Sequence, residues 1–470
     1  MSGLLTALNA GKTSLMTNQK SIEIVGNNIA NVNTEGYSRQ RAELTQIPAV
    51  NFGDFFVGQG VTVSDVSREH DVFINRQLQE KSIALGEESG KSTPLSELER
   101  IFNVSDHNLA SSINDFFDAW QQLTTNPSGQ VERDMVLQRG QLMGDAFRDT
   151  YNELETVRNN LNNSIVSKID NLNEQVSQVA QLNDRIFQIE VNGQSANAAR
   201  DQRDLLVESL SKSLGVQTYT DNRGMLAMQL PGGTPLVQGN KAMPLSVVTT
   251  GTDVNLQITI GGNVKDVFSQ ELGGEMKGMF DIRDNFISGL RGDLDTLAVE
   301  ITKAVNDVHA NGWYTDPGTG NPATGQLFFD DLTALPPGTP PSRHINVALA
   351  DSRYLAAAGG NTAAPGDNEN ALAIASLETT YKVTGTTDTF DNFFSQIVST
   401  VGIEASRNKL AHGGAQDASI QLHNLRDGFA GVSLEEEMVD LVQYQRGFES
   451  SAKFLSTIDE MMNSLLQLKR

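Results

Sequence analysis

Six histidines, His70, His107, His309, His344, His412 and His423, are the first candidates for metal binding or proton transfer. None belongs to an H-E-x-x-H, and no pair has helical ligand spacing with a carboxylate between. His412 and His423 stand eleven apart, close to three helical turns, a spacing that a solvated helix face also explains. The chain has no cysteine, which excludes a thiol nucleophile, a Cys-ligated zinc and a disulfide. Asp316 to Asp331 is rich in Asp, Gly and Thr but lacks the order of a calcium loop and its closing Glu. No phosphate-cradling or nucleophile-elbow glycine motif stands between a strand and a helix. The run Glu435-Glu436-Glu437 falls in the first turn of a helix, where negative charge suits the macrodipole. These residues point to no catalytic site, no cofactor and no metal, and the chain reads as a non-enzyme.

The remaining pattern is architectural. From Leu434 an apolar residue returns every seventh position: Leu434, Leu441, Phe448, Leu455 and Met462. Met438, Ala452, Ile458, Leu465 and Leu466 lie beside that row. A seven-residue apolar period marks a helix that packs along a partner. Ser433 and Glu436 have capping-box spacing, so the helix should start near Leu434. At about 1.5 Å per residue it would be roughly 50 Å long. The first thirty residues carry a matching stripe, Leu8, Leu15, Ile22 and Ile29, with Leu4, Gly11, Asn18, Val25 and Val32 as its companion row. The two ends either close a bundle or pair and also face neighbouring copies. A lone pair buries only one seam, so its folding is expected to need those neighbours.

Between the ends lie long helical stretches. From about Glu132 to Val191 the seam Leu154, Val157, Leu161, Ile165, Ile169, Leu172, Val176, Val179, Leu182, Ile186, Ile189 keeps 3-4 spacing, with Asn, Gln, Ser and Glu on the other face. Further helix is expected over Met276–His309 and Phe390–Phe429. In Arg200-Asp201-Gln202-Arg203-Asp204 opposite charges three and four apart should pair along one helix face. From Val216 to Phe268 the period becomes two, broken by Gly232-Gly233, Gly239-Asn240 and Gly261-Gly262-Asn263, as in antiparallel hairpins. Gly312 to Gly366, with Pro336-Pro337-Gly338-Thr339-Pro340-Pro341, reads as a surface excursion.

The charge narrows the partners. With 470 residues and a net charge of −23, the chain is unsuited to nucleic acid or an anionic membrane surface. No apolar run reaches the ~18 residues of a membrane span. The N-terminus lacks the basic region and apolar core of a cleavable signal. Absence of cysteine suits either a cytosolic protein or one threaded unfolded through an export channel.

One stretch carries more than pattern. Asn27-Asn28-Ile29-Ala30-Asn31-Val32-Asn33-Thr34-Glu35-Gly36-Tyr37-Ser38-Arg39-Gln40 has good helix-ending and turn residues at Asn33 and Gly36. It resembles the N-terminal motif of the bacterial flagellar axial proteins, which build rod, hook and hook–filament junction. Ser38-Arg39-Gln40 after Gly36-Tyr37 is similar to the junction branch. A Pro usual before the glycine is Glu35 here, which removes a residue that presets φ. Ile113-Asn114-Asp115-Phe116-Phe117 through Pro127, Asp201 to Leu206, Val432 to Met438, Tyr444-Gln445 and Ser464-Leu465-Leu466 are also similar to that branch, which reaches about two-thirds of the chain.

The fold class expected is mainly α with a smaller β part. It is a nested multidomain axial protein with a terminal α-helical coiled coil, a long-helix bundle and a small antiparallel β region. The expected divisions are 1–44, pairing with 432–470; 45–215, 269–311 and 366–431 as a helical domain; 216–268 as hairpins; and 312–365 as a reduced outer insertion. The resemblance implies a structural subunit of the hook–filament junction, a ring of copies whose partners are itself, the hook protein and a second junction protein, FlgL. It implies uncleaved export to the flagellum outside the cell, with a cytosolic chaperone holding the C-terminal helix beforehand. The assembly face would be Leu8, Leu15, Ile22, Ile29, Asn27, Asn28, Asn31, Gly36 and Tyr37 with Leu434, Leu441, Phe448, Leu455 and Met462. The alternatives are a hook or rod subunit, or a cytosolic coiled-coil scaffold or enzyme active within 216–365.

Overall fold

The last helix begins where its cap requires. The Ser433 hydroxyl accepts from the Glu436 amide at 3.5 Å, and the Glu437 amide donates to the Ser433 carbonyl at 3.0 Å. Helix α10 then runs Leu434–Leu468. The computed structural model describes residues 2–51, 56–102, 108–221 and 224–468. His107 and Gly53 lie outside them.

In chain order α1 (Ser2–Ala30) leads into a ribbon, β1 (Gln40–Gln46), β2 (Val50–Asn51), β3 (Phe56–Val57) and β4 (Val61–Arg68). Helices α2 (Val72–Ile101), α3 (Leu109–Thr125), α4 (Gln130–Val191) and α5 (Asn197–Leu214) follow. Then come β5 (Gln217–Thr220), β6 (Leu226–Gln229), β7 (Pro235–Gln238), β8 (Lys241–Ala242), β9 (Leu245–Thr250), β10 (Asp253–Ile260) and β11 (Asn263–Val267). Helices α6 (Gly274–Asp281) and α7 (Ile287–His309) flank a π-turn at Ile282–Phe286. The rest is β12 (Trp313–Thr315), β13 (Pro322–Thr324), α8 (Glu369–Thr380), α9 (Phe390–Ala430) and α10.

The chain divides into two compact units, residues 1–87, 168–276 and 413–470, and residues 88–167 and 277–412. In the first unit the period-two region forms two antiparallel sheets, ordered β5-β6-β7-β8 and β11-β10-β9. The seam of α4 supplies buried Ile169, Leu172, Val176 and Val179 to this unit. Strands β1 and β4 pair antiparallel, with a register shift at Glu43/Leu44.

The second unit is built on aromatic residues. Phe116, Phe117 and Trp120 of α3 are fully buried, as are Phe147 of α4 and the neighbouring pair Phe328 and Phe329. Phe328 sits edge-on to Phe329, ring centroids 4.6 Å apart, and 5.7 Å from Trp120. Gly140 permits this approach: a Cβ there would stand 2.8 Å from Phe328. Gly144 lets the Ile345 backbone close in the same way.

This corrects the reading of 312–365 as a surface excursion. Phe328, Phe329, Leu332, Ile345, Leu349 and Leu355 are all buried, and the Ser342 amide donates to Asp295 at 2.9 Å. These apolar residues fall between prolines and glycines at no regular period, so their pattern carries no sign of burial.

Candidate assembly interface

Helices α1 and α10 pack antiparallel. The Ser14 and Ser451 hydroxyls bond at 2.9 Å, Gly447 lies against Asn18, and Gly11 lies against Phe454 and Leu455. Along α10 the covered positions include Glu437, Leu441, Tyr444, Phe448, Ser451, Leu455, Ile458 and Met462, at 3-4 spacing. One row of this seam, Leu441, Phe448, Leu455 and Met462, is the heptad row seen in the sequence, half-buried. The other row, Glu437, Tyr444, Ser451 and Ile458, is mostly polar, which hides it from a hydrophobic period. On α1 the most buried residues are Thr6, Gly11, Thr17, Ser21, Val25 and Asn28, while Leu8, Leu15, Ile22 and Ile29 are half-buried. Small side chains let the backbones close together. The hydroxyls of Thr13 and Thr17 also donate to the backbone of Gln59 and Val61 beside the helix.

The helix-ending motif forms a polar knot at one end of this pair. Asn28 is 1% exposed, and all four bonding positions of its amide are filled. Its Nδ2 donates to the Gln40 carbonyl and to Glu437 Oε2, both at 3.0 Å. Its Oδ1 accepts from the Gln40 amide at 3.0 Å and from the Tyr37 hydroxyl at 2.8 Å. Asn31 donates to Asn27 Oδ1 at 2.7 Å on the exposed side of the same turn. Gly36 turns the chain with φ 77°, where a side chain would be strained, and a Cβ there would stand 3.5 Å from Leu205.

Arg39 then clamps α10. Its Nε lies 2.6 Å from Glu437 Oε1, with Nη1 2.7 Å from Glu436 and Nη2 3.3 Å from Asp440. Its amide donates to the Ala430 carbonyl at the end of α9 at 2.8 Å. Burial pulls the Arg39 pKa down, but the charges of Glu437 and Glu436 outweigh it and leave it raised. Burial, with Asp201 and Glu437 adding, pushes Tyr37 up to about 12, so its hydroxyl remains a donor.

Ser38 extends the knot to α5. Its hydroxyl donates to Asp201 Oδ1 at 2.8 Å, and Arg68 bridges Asp201 and Asp204 at 2.6 and 2.7 Å. Asp201 and Asp204 therefore pair with Arg68 of β4 and not with partners three or four residues along their own helix, which corrects the reading from their spacing. Arg200 likewise reaches back to Glu190 of α4 at 2.6 Å. For Asp201 burial drives the pairing, because an interior carboxylate gains more from a converging arginine than from a solvated helix neighbour.

Other apolar side chains of α10 remain exposed: Leu434, Met438, Val439, Val442, Met461, Leu465 and Leu466, Val439 at 67%. Of the assembly residues expected from sequence, Leu434 and Asn27 are exposed, Asn28 is buried, and the others are half-buried. Glu437, Arg39, Asp201 and Arg68 escape a sequence reading, because partners 133 residues apart or more leave no local signal.

The chemistry candidates separate. His309 is fully buried beside Trp120 and Phe328; its Nδ1 bonds the Gln326 carbonyl and its Nε2 accepts from the Ala356 amide at 3.0 Å. Burial lowers its pKa to about 4, so the ring is neutral. His423 pairs with Glu208 at 3.0 Å. Among the described residues no group of three or more His, Asp or Glu is placed to hold a metal ion.

An antiparallel pair of chain ends, each carrying a flagellar sequence signature, defines a bacterial flagellar axial protein. Residues 8–37 match the flagella basal body rod protein family, and residues 429–468 the C-terminal family of the basal body rod FlgEFG proteins. Residues 95–329, half of the chain, match the flagellar hook-associated protein FlgK helical domain. The chain belongs to the hook-associated protein FlgK family. It is 27% identical to flagellar hook-associated protein 1 of Bacillus subtilis (strain 168), over 99% of this chain and 98% of that one. Against its counterpart in Escherichia coli (strain K12) identity is 23%, over 98% and 99%. The solved flagellar hook junction protein FlgK of Burkholderia pseudomallei shares the fold, with TM-score 0.63 and 16% identity over 77% of this chain and all of that one. The chain is thus a structural component of the bacterial flagellum. No helix among its described residues is long and apolar enough to cross a membrane.

Proposed function

We propose that this chain forms the ring between hook and filament, self-assembling through α1 and α10 beside a second junction protein, FlgL. The observation that carries the reading is the set of uncovered apolar side chains on α10, a helix held in place by the knot around Asn28, Arg39 and Glu437. Apolar side chains that this chain leaves bare are covered when copies pack side by side. The knot fixes the direction of the helix, so each subunit presents the same face. Within this reading the protein has no catalytic role. It leaves the cell without cleavage, and a cytosolic chaperone shields α10 until export. Deleting the gene tests the function: cells should make hooks without filaments and release filament protein into the medium, and normal filaments would overturn it. Mass analysis of the exported protein should find an uncleaved N-terminus.

A further inference from the structure

Arg203 of α5 is 7% exposed, yet its guanidinium is poorly matched. Nη1 donates to Asn183 Oδ1 at 3.2 Å, Nε has no partner among the described residues, and Asp204 Oδ1 is 3.8 Å from Nη2. The Asp204 carboxylate is already bonded by Arg68 at 2.7 Å. Glu190, another acid nearby, is held by Arg200 through both its oxygens at 2.6 and 2.8 Å. A buried cation with five donors and, among the described residues, one good acceptor is an incomplete pair, and an interior charge without a contacting counterion is costly. Burial lowers the Arg203 pKa, with the charge of Asp204 only partly opposing it.

Arg203 lines a cleft of about 230 Å³ between α4, α5 and the start of β6. Ile186, Phe187, Val191 and Met225 form its apolar walls, and Asn183 and Glu190, the latter neutralised by Arg200, also line it. Phe187 is 42% exposed and Val191 68%. They continue the apolar wall beyond the cleft mouth. A small anion would satisfy the arginine and leave this lip in water. A polypeptide carrying a carboxylate beside an apolar side chain covers both.

We infer that this cleft is a docking site for a segment of a partner protein in which Asp or Glu adjoins an aliphatic or aromatic residue. The carboxylate completes the pair with Arg203, and the apolar side chain packs between Phe187 and Met225. Arginine suits this role because it stays charged when buried and forms charge-assisted bonds to a carboxylate.

The probes are two capped dipeptides of the same shape, acetyl-Leu-Asp-amide and acetyl-Leu-Asn-amide, titrated into the full chain with 13C-labelled methionine methyls. The Met225 resonance reports on the cleft. The acid should shift it with millimolar affinity, at least fivefold tighter than the amide, and Arg203→Gln should abolish that preference. If Arg203→Gln fails to fold by circular dichroism, Phe187→Glu serves in its place. That exposed change sets a fixed carboxylate at the mouth and should weaken the acid at least fivefold without altering the melting temperature. No shift from either peptide, equal affinities, or a preference that survives the variants would overturn the inference.

Discussion

Glu437→Gln keeps the shape of the side chain that joins the two ends and removes its charge. Glu437 is 1% exposed, takes a hydrogen bond from Asn28 Nδ2 and stands 2.6 Å from Arg39 Nε. In the variant one of those N–H groups meets an NH2 group, and Arg39 loses its buried counterion. Breaking a buried pair from one side costs about 3–5 kcal/mol. Arg39 retains Glu436 and Asp440, but these are 65% and 39% exposed, and such pairs return under about 1 kcal/mol each. The net loss is then about 1–3 kcal/mol, drawn from the docking of α10 on α1. At about 1.4 kcal/mol per decade, the undocked population rises roughly 5- to 140-fold. Hydrogen exchange on the isolated chain reads this directly. Amides of residues 434–458 should exchange faster by that factor, and those of 168–191 in α4 should not change. A double-mutant cycle with Arg39→Met should show coupling of about 1–3 kcal/mol. If exchange in α10 changes less than threefold, or accelerates equally in α4, the knot does not hold the ends together.

Three further outcomes follow from other residues. Val439→Asp alters a side chain that touches little of its own chain, so stability should shift by under about 0.5 kcal/mol while filament attachment is lost; a motile variant would count against the exposed apolar side chains of α10. Gly11→Val places a branched side chain where even a Cβ meets Phe454 and Leu455 at 3.0 and 3.1 Å, and should weaken the terminal pair by about 1–3 kcal/mol, measured by exchange in α1. His309 binds its proton near pH 4 in the fold and near 6.5 unfolded, so its contribution is present above pH 6.5 and is lost as pH falls toward 4. Between pH 7 and 5 that is about 2 kcal/mol, read by urea unfolding through the chain's two tryptophans, Trp120 and Trp313, both in the second unit, and His309→Gln should flatten the dependence.

The helices are legible in the sequence because their apolar residues recur. Leu154 to Ile189 keep one face of α4, and the Ser433 cap marks the start of α10 within a residue. The hairpins of 217–267 are legible from alternation and glycine turns. The seam between the ends is half legible. Leu441, Phe448 and Leu455 announce it, whereas Gly11, Ser14, Ser21 and Ser451 pack by being small and polar and leave no hydrophobic trace. The knot is legible only in its parts: Asn28 and Tyr37 are expected in the assembly face, but that Asn28 and Glu437, or Ser38 and Asp201, meet is settled only by the fold. A count of apolar residues therefore makes the terminal pair look unable to dock without neighbours, and it omits the buried polar contacts of Asn28, Arg39 and Glu437, which add to that docking. The core role of Phe328 and Phe329 escapes for a different reason, the lack of any period between prolines.

The position of the protein along the flagellum tests the account most directly. Gold-labelled antibody against the folded chain, viewed by electron microscopy on intact flagella, should mark one narrow band where the hook ends and the filament begins. Label spread along the filament, confined to the hook or rod, or absent from purified flagella would contradict it.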